Sequence, residues 1–249
     1  MKFIGIIPAR YGSTRFPGKP LADICGKTVI RRVYEQARQA LETVLVATDD
    51  DRIYDAVEAF GGKVVMTRAD HTCGTERCLE AYQAITTPAW RTQNDTDTVV
   101  INIQGDEPFI QPEQIEALKA CFEKEDTQIA TLVRPFTDRD SREALENPNT
   151  PKVEWDKTTG VAKMFSREVI ACADGSHYRH IGIYAYRADV LTQITQLPQS
   201  PLEIKERLEQ LRWLENGYTI RVGVTDRETI GIDTPDDLTH AINWYKYNG

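Results

Sequence analysis

The chain has 249 residues, and 30 Lys+Arg against 38 Asp+Glu give a formal net charge of −8. Hydrophobic residues make up 41% and charged residues 27%, a globular composition at a length that allows one large α/β domain or two smaller ones. This excludes a protein that coats nucleic acid, which needs a broad excess of Lys and Arg, and the longest apolar runs, such as residues 98–103, fall far short of the ~20 residues of a membrane-spanning helix.

Lys2–Pro8 is apolar and β-branched and predicts a buried strand. It starts almost at Met1, without the layout of a signal peptide, so the expectation is a cytoplasmic protein. Val29, Ile30, Val33, Ala37, Ala40 and Leu41 form a helical stripe over 28–40. Thr43–Thr48 predicts a second strand, and Asp49, Asp50 and Asp51 after it suit a helix N-terminus. That helix stops at Gly61-Gly62. Lys63–Met66 predicts a third strand, Gly74–Ile85 a third helix, and 86–97 a polar surface loop. The run Thr98–Ile103 reads as a central parallel strand covered on both faces. A helix from Pro112 to about Lys124 and a strand over Ile129–Val133 follow. This is the pattern of an α/β fold with a doubly wound, mostly parallel, Rossmann-like sheet.

From about residue 135 the pattern changes. Val153–Asp156, Val161–Phe165 and Tyr178–Tyr186 predict antiparallel strands, and a helix runs from Pro201 to about Glu215, ending at Asn216-Gly217. Thr219–Val224 predicts a strand, and Pro235 opens a final helix. The expected organisation is an α/β core over 1–134, a smaller antiparallel insertion over 135–218, and a return to the core over 219–249. Cys25, Cys73, Cys78, Cys121 and Cys172 form no C-x-x-C pair and are read as small buried filler in a reducing compartment.

The charge is uneven. The first 32 residues carry Lys2, Arg10, Arg15, Lys19, Lys27, Arg31 and Arg32 against one acid, Asp23, a local +6 in a chain of −8. A concentrated basic entrance on an acidic protein suits a small anion better than a polyanion. Its centre is the segment from Pro8 to Leu21 that follows the first strand. There Arg10 and Arg15 can fork onto phosphate oxygens and Lys19 supplies a point charge, while Gly12 and Gly18 let backbone N–H groups approach. G-x-x-x-x-G-K-[ST] and G-x-G-x-x-G are both absent, so the loop is neither a P-loop nor a dinucleotide fingerprint.

This segment, P-A-R-x-x-S-T-R-x-P-x-K-x-L, resembles the nucleotide-binding signature of the CMP-sugar synthetases, a nucleotidyltransferase family. Within it, nearly the whole chain is similar to the 3-deoxy-manno-octulosonate cytidylyltransferases. His71–Arg77 resembles their H-x-S-G-T-[DE]-R segment, with Cys73 where Ser is usual. Gln104-Gly105-Asp106-Glu107-Pro108 and Gly231–Asp237 match two further motifs. The resemblance implies a nucleotide-diphospho-sugar transferase fold and Mg2+-dependent transfer of CMP from CTP to 3-deoxy-D-manno-octulosonate (Kdo), with pyrophosphate released, for lipopolysaccharide assembly. It also implies a homodimer. It implies nucleotide contacts at Ala9, Arg10, Ser13, Arg15, Lys19, Gly74, Arg77 and Gln104, catalytic roles for Arg10, Lys19 and Asp106, and Mg2+ on Asp106 and Asp233.

The residues themselves leave alternatives open. Ligands in open α/β sheets bind at the carboxyl ends of strands, which suits Asp106. Asp233 fits the N-cap of the helix at Pro235 as well as it fits a metal. Asp236 and Asp237 suit the first turn of that helix, and Glu107 a structural place. Arg77 lies at a helix start, where the dipole disfavours a cation, which favours a phosphate or base role. Gln104 both donates and accepts, as reading the edge of cytosine requires.

For the sugar acid, Phe165–Arg167, His180–Arg187, Leu202-Glu203 and Leu208–Arg212 match the family's sugar side. Arg167 is the candidate for the carboxylate, and His180, Tyr184, Glu209 and Gln210 are the candidates for the hydroxyls. Read alone, His180 fits a satisfied strand histidine and Tyr184 core packing. After Arg167 the chain returns to a strand early, through a short loop with no second arginine. Another sugar acid of the amino-Kdo or sialic type, or a catalytically silent CTP-binding homologue, stands as the alternative.

Overall fold

The computed structural model describes residues 1–86 and 97–248, so most of the polar loop expected over 86–97 lies outside the described residues. The chain forms two compact units, Met1–Ile115 with Thr229–Gly249, and Glu116–Glu228.

In the first unit, β1 (Lys2–Ala9) is the centre of a parallel ladder. It pairs with β4 (Thr43–Thr48) on one side, Ile4 against Thr43 through Ala9 against Thr48. On the other side it pairs with β6 (Thr98–Asn102). β5 (Val64–Met66) extends the ladder beyond β4. Ile4, Ile6, Ile7, Val44, Val46, Val99 and Ile101 are all buried, as expected for strands covered on both faces.

The helices α1 (Val29–Ala40), α2 (Asp51–Ala59) and α3 (Gly74–Ile85) lie where the sequence predicts them. Thr28 caps α1 by accepting from the Arg31 N–H, and Asp50 caps α2 by accepting from the Arg52 N–H. Beyond the predicted elements, Lys19–Leu21 form a 3-10 turn, and a hairpin of β2 (Asp23–Ile24) and β3 (Lys27–Thr28) turns through Cys25 and Gly26. Both turn residues have positive φ, 50° and 86°, so Cys25 is exposed in a tight turn and is not buried filler. Cys73 is also not fully buried, and no disulfide joins the five cysteines.

The second unit holds a mixed ladder. β7 (Ile129–Pro135) pairs antiparallel with β10 (Tyr178–Arg187) and parallel with β11 (Ile220–Val224). β8 (Lys152–Asp156) and β9 (Val161–Ser166) form an antiparallel pair, and β9 joins β11. The β7–β11 ladder carries both strands into this unit, so its boundaries fall at 115/116 and 228/229 where the sequence suggested 134/135 and 218/219.

The single helix expected over 201–215 is two helices, Pro201–Glu206 and Gln210–Glu215, because Arg207 adopts a left-handed conformation with φ 54°. The break lets Leu208, Leu211 and Trp213 all become buried. Helices over Arg142–Glu146 and Ala188–Ile194 were not foreseen. The helix from Pro112 ends at Cys121, short of Lys124, and the final helix is Pro235–Asn248. Among the described residues no helix is long and apolar enough to cross a membrane.

One close approach governs the loop after β6. A Cβ on Gly105 would lie 2.7 Å from the Pro8 carbonyl oxygen, a backbone atom that cannot swing aside. Gly105→Ala is therefore expected to cost about 1–3 kcal/mol, seen as a lower urea midpoint with an unchanged m-value. An unchanged midpoint would show that the loop moves freely.

Candidate active site

At the carboxyl ends of β1 and β6 the first unit forms a cavity of about 270 Å3. Every nucleotide-side and metal-side residue singled out from the sequence lines it: Ala9, Arg10, Ser13, Arg15, Lys19, Gly74, Arg77, Gln104, Asp106 and Asp233. The residues His71, Thr72 and Cys73, quoted in the sequence only as part of a motif, line it too.

The basic loop is folded on one carbonyl. Tyr11 C=O accepts from the N–H groups of Ser13 and Gly18, both at 2.9 Å. Gly18 has φ 75° and turns the chain into the 3-10 segment that carries Lys19. Arg52, anchored by two side-chain bonds to Asp50, stacks 3.3 Å from the Tyr11 ring centroid.

The two aspartates converge. Lys19 Nζ donates to Asp106 at 2.6 Å and to Asp233 at 3.1 Å, and Arg15 pairs with the other oxygen of Asp233 at 2.9 Å. Burial alone would lower the Lys19 ammonium, but Asp106 and then Asp233 overcome it and hold its pKa above the ordinary lysine value. Glu107 is pushed up to about 8 by burial and by the neighbouring Asp106 charge, and its Oε2 is buried without a partner among the described residues.

The competition for Asp233 between cap and cavity is resolved locally. Asp237 accepts from the Asp233 and Thr234 N–H groups and from the Thr234 hydroxyl, while Thr234 Oγ1 accepts from the Asp237 N–H. Thr234 and Asp237 thus cap the final helix between them, and the Asp233 carboxylate turns to the cavity. The Ile232 N–H donates to the Asp106 carbonyl at 2.9 Å, which ties the two acidic segments together by backbone.

Arg77 is held differently from the sequence argument. Its buried guanidinium pairs with Asp49 at 2.8 Å and donates to Thr67 Oγ1 at 2.6 Å. The dipole cost of a cation at this helix start is offset by Asp49, which the sequence had grouped with its neighbours as a helix-terminus residue. His71 is engaged by Glu80 and lies 3.7 Å from Glu76.

Among the described residues no group of three or more His, Cys, Asp or Glu side chains could by itself hold a metal ion. A Mg2+ ion that arrives on phosphates needs only one or two protein carboxylates. Asp106 and Asp233 fit that requirement, since both already reach one cation, the Lys19 ammonium.

The sugar-side residues belong to the second unit. The register of β10 against β7 shifts between Ile181 and Tyr184, bringing Tyr184 opposite Thr131. The Thr131 hydroxyl donates to the Ile183 carbonyl at 2.8 Å and accepts from His180 Nε2 at 2.9 Å. Burial lowers the His180 pKa to about 3, so its imidazole is neutral. Its ring packs 5.2 Å from Phe165 and 5.3 Å from Tyr184. Burial, then the Glu209 charge, raises the Tyr184 hydroxyl well above its ordinary value. The Gln210 side-chain NH2 is buried with no hydrogen-bond partner among the described residues, and the Tyr184 hydroxyl faces Thr131.

Glu209 pairs with Arg212 at 3.2 Å. Arg167 donates to the carbonyls of Glu206, Pro148 and Arg207, so its guanidinium braces two backbone segments. Thr131, a lone hydroxyl in an apolar run, gave no signal in the sequence.

Residues 4–222 match the family described as Cytidylyltransferase. A 3-deoxy-manno-octulosonate cytidylyltransferase of Parabacteroides distasonis is 59% identical over 253 residues, covering 97% of each chain. One from Phocaeicola vulgatus is 60% identical over 251 residues, covering 97% of this chain and 96% of the relative. The solved structure of CMP:2-keto-3-deoxy-manno-octonic acid synthetase complexed with CTP has a TM-score of 0.89 at 39% identity, covering 100% of both chains. A cytidylyltransferase from Leptospira borgpetersenii, at 16% identity and a TM-score of 0.60 over 100% of this chain and 95% of its own, shares the fold. The fold is α/β, of the Rossmann-like nucleotidyltransferase type, and the chain belongs to the 3-deoxy-manno-octulosonate cytidylyltransferase family.

Proposed function

We propose that this protein transfers CMP from CTP to Kdo and releases pyrophosphate. The observation that carries the reading is the cavity in which Lys19 meets both Asp106 and Asp233 beside Arg10 and Arg15. Three cations and two carboxylates are the charge pattern of a site for a metal–triphosphate, and the CTP held by the solved relative supports cytidine as its base. The finer fold reading, a doubly wound sheet of the nucleotide-diphospho-sugar transferase type, belongs to the same proposal. So do a cytoplasmic location and a homodimer, which the family resemblance supports.

In the reaction the anomeric hydroxyl oxygen of the sugar forms a bond to the α-phosphorus and gives up its proton to solvent, and the bond from that phosphorus to the β-phosphate bridging oxygen breaks. Charge builds on the departing pyrophosphate, and Arg10, Arg15 and Lys19 are the side chains that would neutralise it. Asp106 and Asp233 would hold Mg2+, which supplies charge neutralisation and orientation at the phosphates. Gln104 would read the base edge through its amide. Ala9, Ser13 and Gly74 line the cavity and would approach the nucleotide closely, and Arg77, fixed by Asp49, would present one edge of its guanidinium.

For the sugar acid, the buried Gln210 amide, which has no partner among the described residues, supports a polar ligand there, because buried polar groups are normally satisfied; the Tyr184 hydroxyl would add a further polar contact. Glu209 and neutral His180 add acceptors for hydroxyls. Arg167 would have to trade one of its carbonyl bonds for a carboxylate.

Three outcomes test this reading. Purified protein should release pyrophosphate from CTP with Kdo only when Mg2+ is present, and CTP should outperform UTP and ATP; release without Mg2+, or preference for UTP or ATP, would falsify the assignment. Asp106→Asn should lower kcat by about 10²–10³-fold while circular dichroism stays unchanged; wild-type turnover would remove Asp106 from the site. Because His180 is neutral down to about pH 3, the KM for the sugar should show no ionisation near the ordinary histidine value. His180→Asn should raise that KM without changing its pH profile, and an ionisation near neutrality that disappears in His180→Asn would overturn the role.

A further inference from the structure

In the cavity each of the two aspartates is paired with a cation of the chain itself. Asp106 and Asp233 are already neutralised by the chain's own cations. Lys19 touches both, at 2.6 and 3.1 Å, and Arg15 touches Asp233 at 2.9 Å. Lys19 is also the least exposed of the four, at 15% of its side chain, so its charge is poorly served by water at this position.

A divalent cation arriving alone therefore meets carboxylates that are occupied, with two like charges in the way. A triphosphate arriving alone can draw Lys19 and Arg15 toward itself only by leaving two neighbouring carboxylates bare. Brought together, the two ligands exchange partners with the protein: the metal takes the carboxylates and the phosphates take the released cations. No charge is then left uncompensated in a partly buried cavity.

We propose that Lys19, with Arg15 assisting, is an internal stand-in cation that couples metal binding to nucleotide binding, so that neither ligand binds well without the other. This rests on the reading of Asp106 and Asp233 as Mg2+ ligands and of the loop as a phosphate cradle. The coupling is reciprocal: whatever factor CTP adds to metal affinity, the metal adds to CTP affinity.

The experiment uses Mn2+ in place of Mg2+, with free Mn2+ followed by electron paramagnetic resonance and CTP binding by calorimetry, in the absence of sugar. In the wild type, CTP should tighten Mn2+ binding by about tenfold or more, within the usual range of coupled sites. Lys19→Met should bind Mn2+ without nucleotide more tightly than the wild type does, and its coupling to CTP should shrink. Mn2+ affinity in Lys19→Met equal to or weaker than the wild type, or undiminished coupling, overturns the proposal.

Should Lys19→Met not fold, the wild type decides alone. The Tm increments from Mn2+ and from CTP should sum to clearly less than the increment from both together, and simple additivity overturns the coupling. Asp106→Asn and Asp233→Asn distinguish a failed metal assignment from a failed exchange. If both retain wild-type Mn2+ affinity in the presence of CTP, the metal assignment itself fails. If both lose it while Lys19→Met behaves as the wild type, only the exchange fails.

Discussion

One ammonium group organises the candidate active site. Lys19 Nζ joins residues 87 and 214 positions away in the sequence, and both bonds lie within ordinary hydrogen-bond length. The two carboxylates on it would repel each other if bare, so their proximity requires a cation between them. Burial opposes a charged lysine, and the two acids more than offset that opposition. The geometry of three chain segments thus depends on one balance between desolvation and Coulomb attraction.

That balance stands on apolar packing beneath it. Ile24, Val29, Phe109, Ile232 and Ala241 form a buried cluster, with Phe16, Leu238, Ile242 and Tyr245 packed against it. Phe16 comes from the basic loop, Phe109 from the segment after Asp106, and Ile232 directly precedes Asp233. The same cluster therefore anchors all three polar segments, with the final helix, Pro235–Asn248, on its flank. The Ile232–Asp106 backbone bond sets the spacing of the acids, and the Thr234–Asp237 cap removes the competing task from Asp233. Each contribution is modest, and together they leave the two carboxylates one direction in which to point.

The second unit follows a different logic, of polar groups placed in a packed interior. Lys152 is fully buried on β8 and donates to the carbonyls of Asn147 and Arg167, and burial, with the Arg167 charge, lowers its pKa. Arg167 spends its own guanidinium on three further carbonyls. These two cations hold irregular backbone, whose carbonyls must be satisfied where they are buried. The Gln210 amide is instead left with unmade bonds among the described residues, and Trp213 packs edge-on against Tyr184 at 5.1 Å. The contrast separates side chains that serve the fold from side chains available to a ligand.

The strands and helices of the first unit were legible in the sequence because each is decided locally. β-branched runs make buried strands, a 3.6-residue stripe makes α1, and Gly61 with its positive φ ends α2. The basic loop and the two acidic motifs were legible as chemistry, because cations after a first strand and an aspartate at a strand end have few other uses. Tertiary structure decided what those charges touch. Asp49 could not be told from Asp50 and Asp51 until Arg77 reached it across 28 positions. The start and stop signals at Pro201 and Asn216-Gly217 could not show that Arg207 would break the helix between them, since burial of Leu208, Leu211 and Trp213 outweighs local helix propensity. The sequence by itself determined which residues carry charge and which segments are regular. Only the folded chain decided that Asp106 and Asp233 share one cation, because that pairing is long-range and has no local periodicity to announce it.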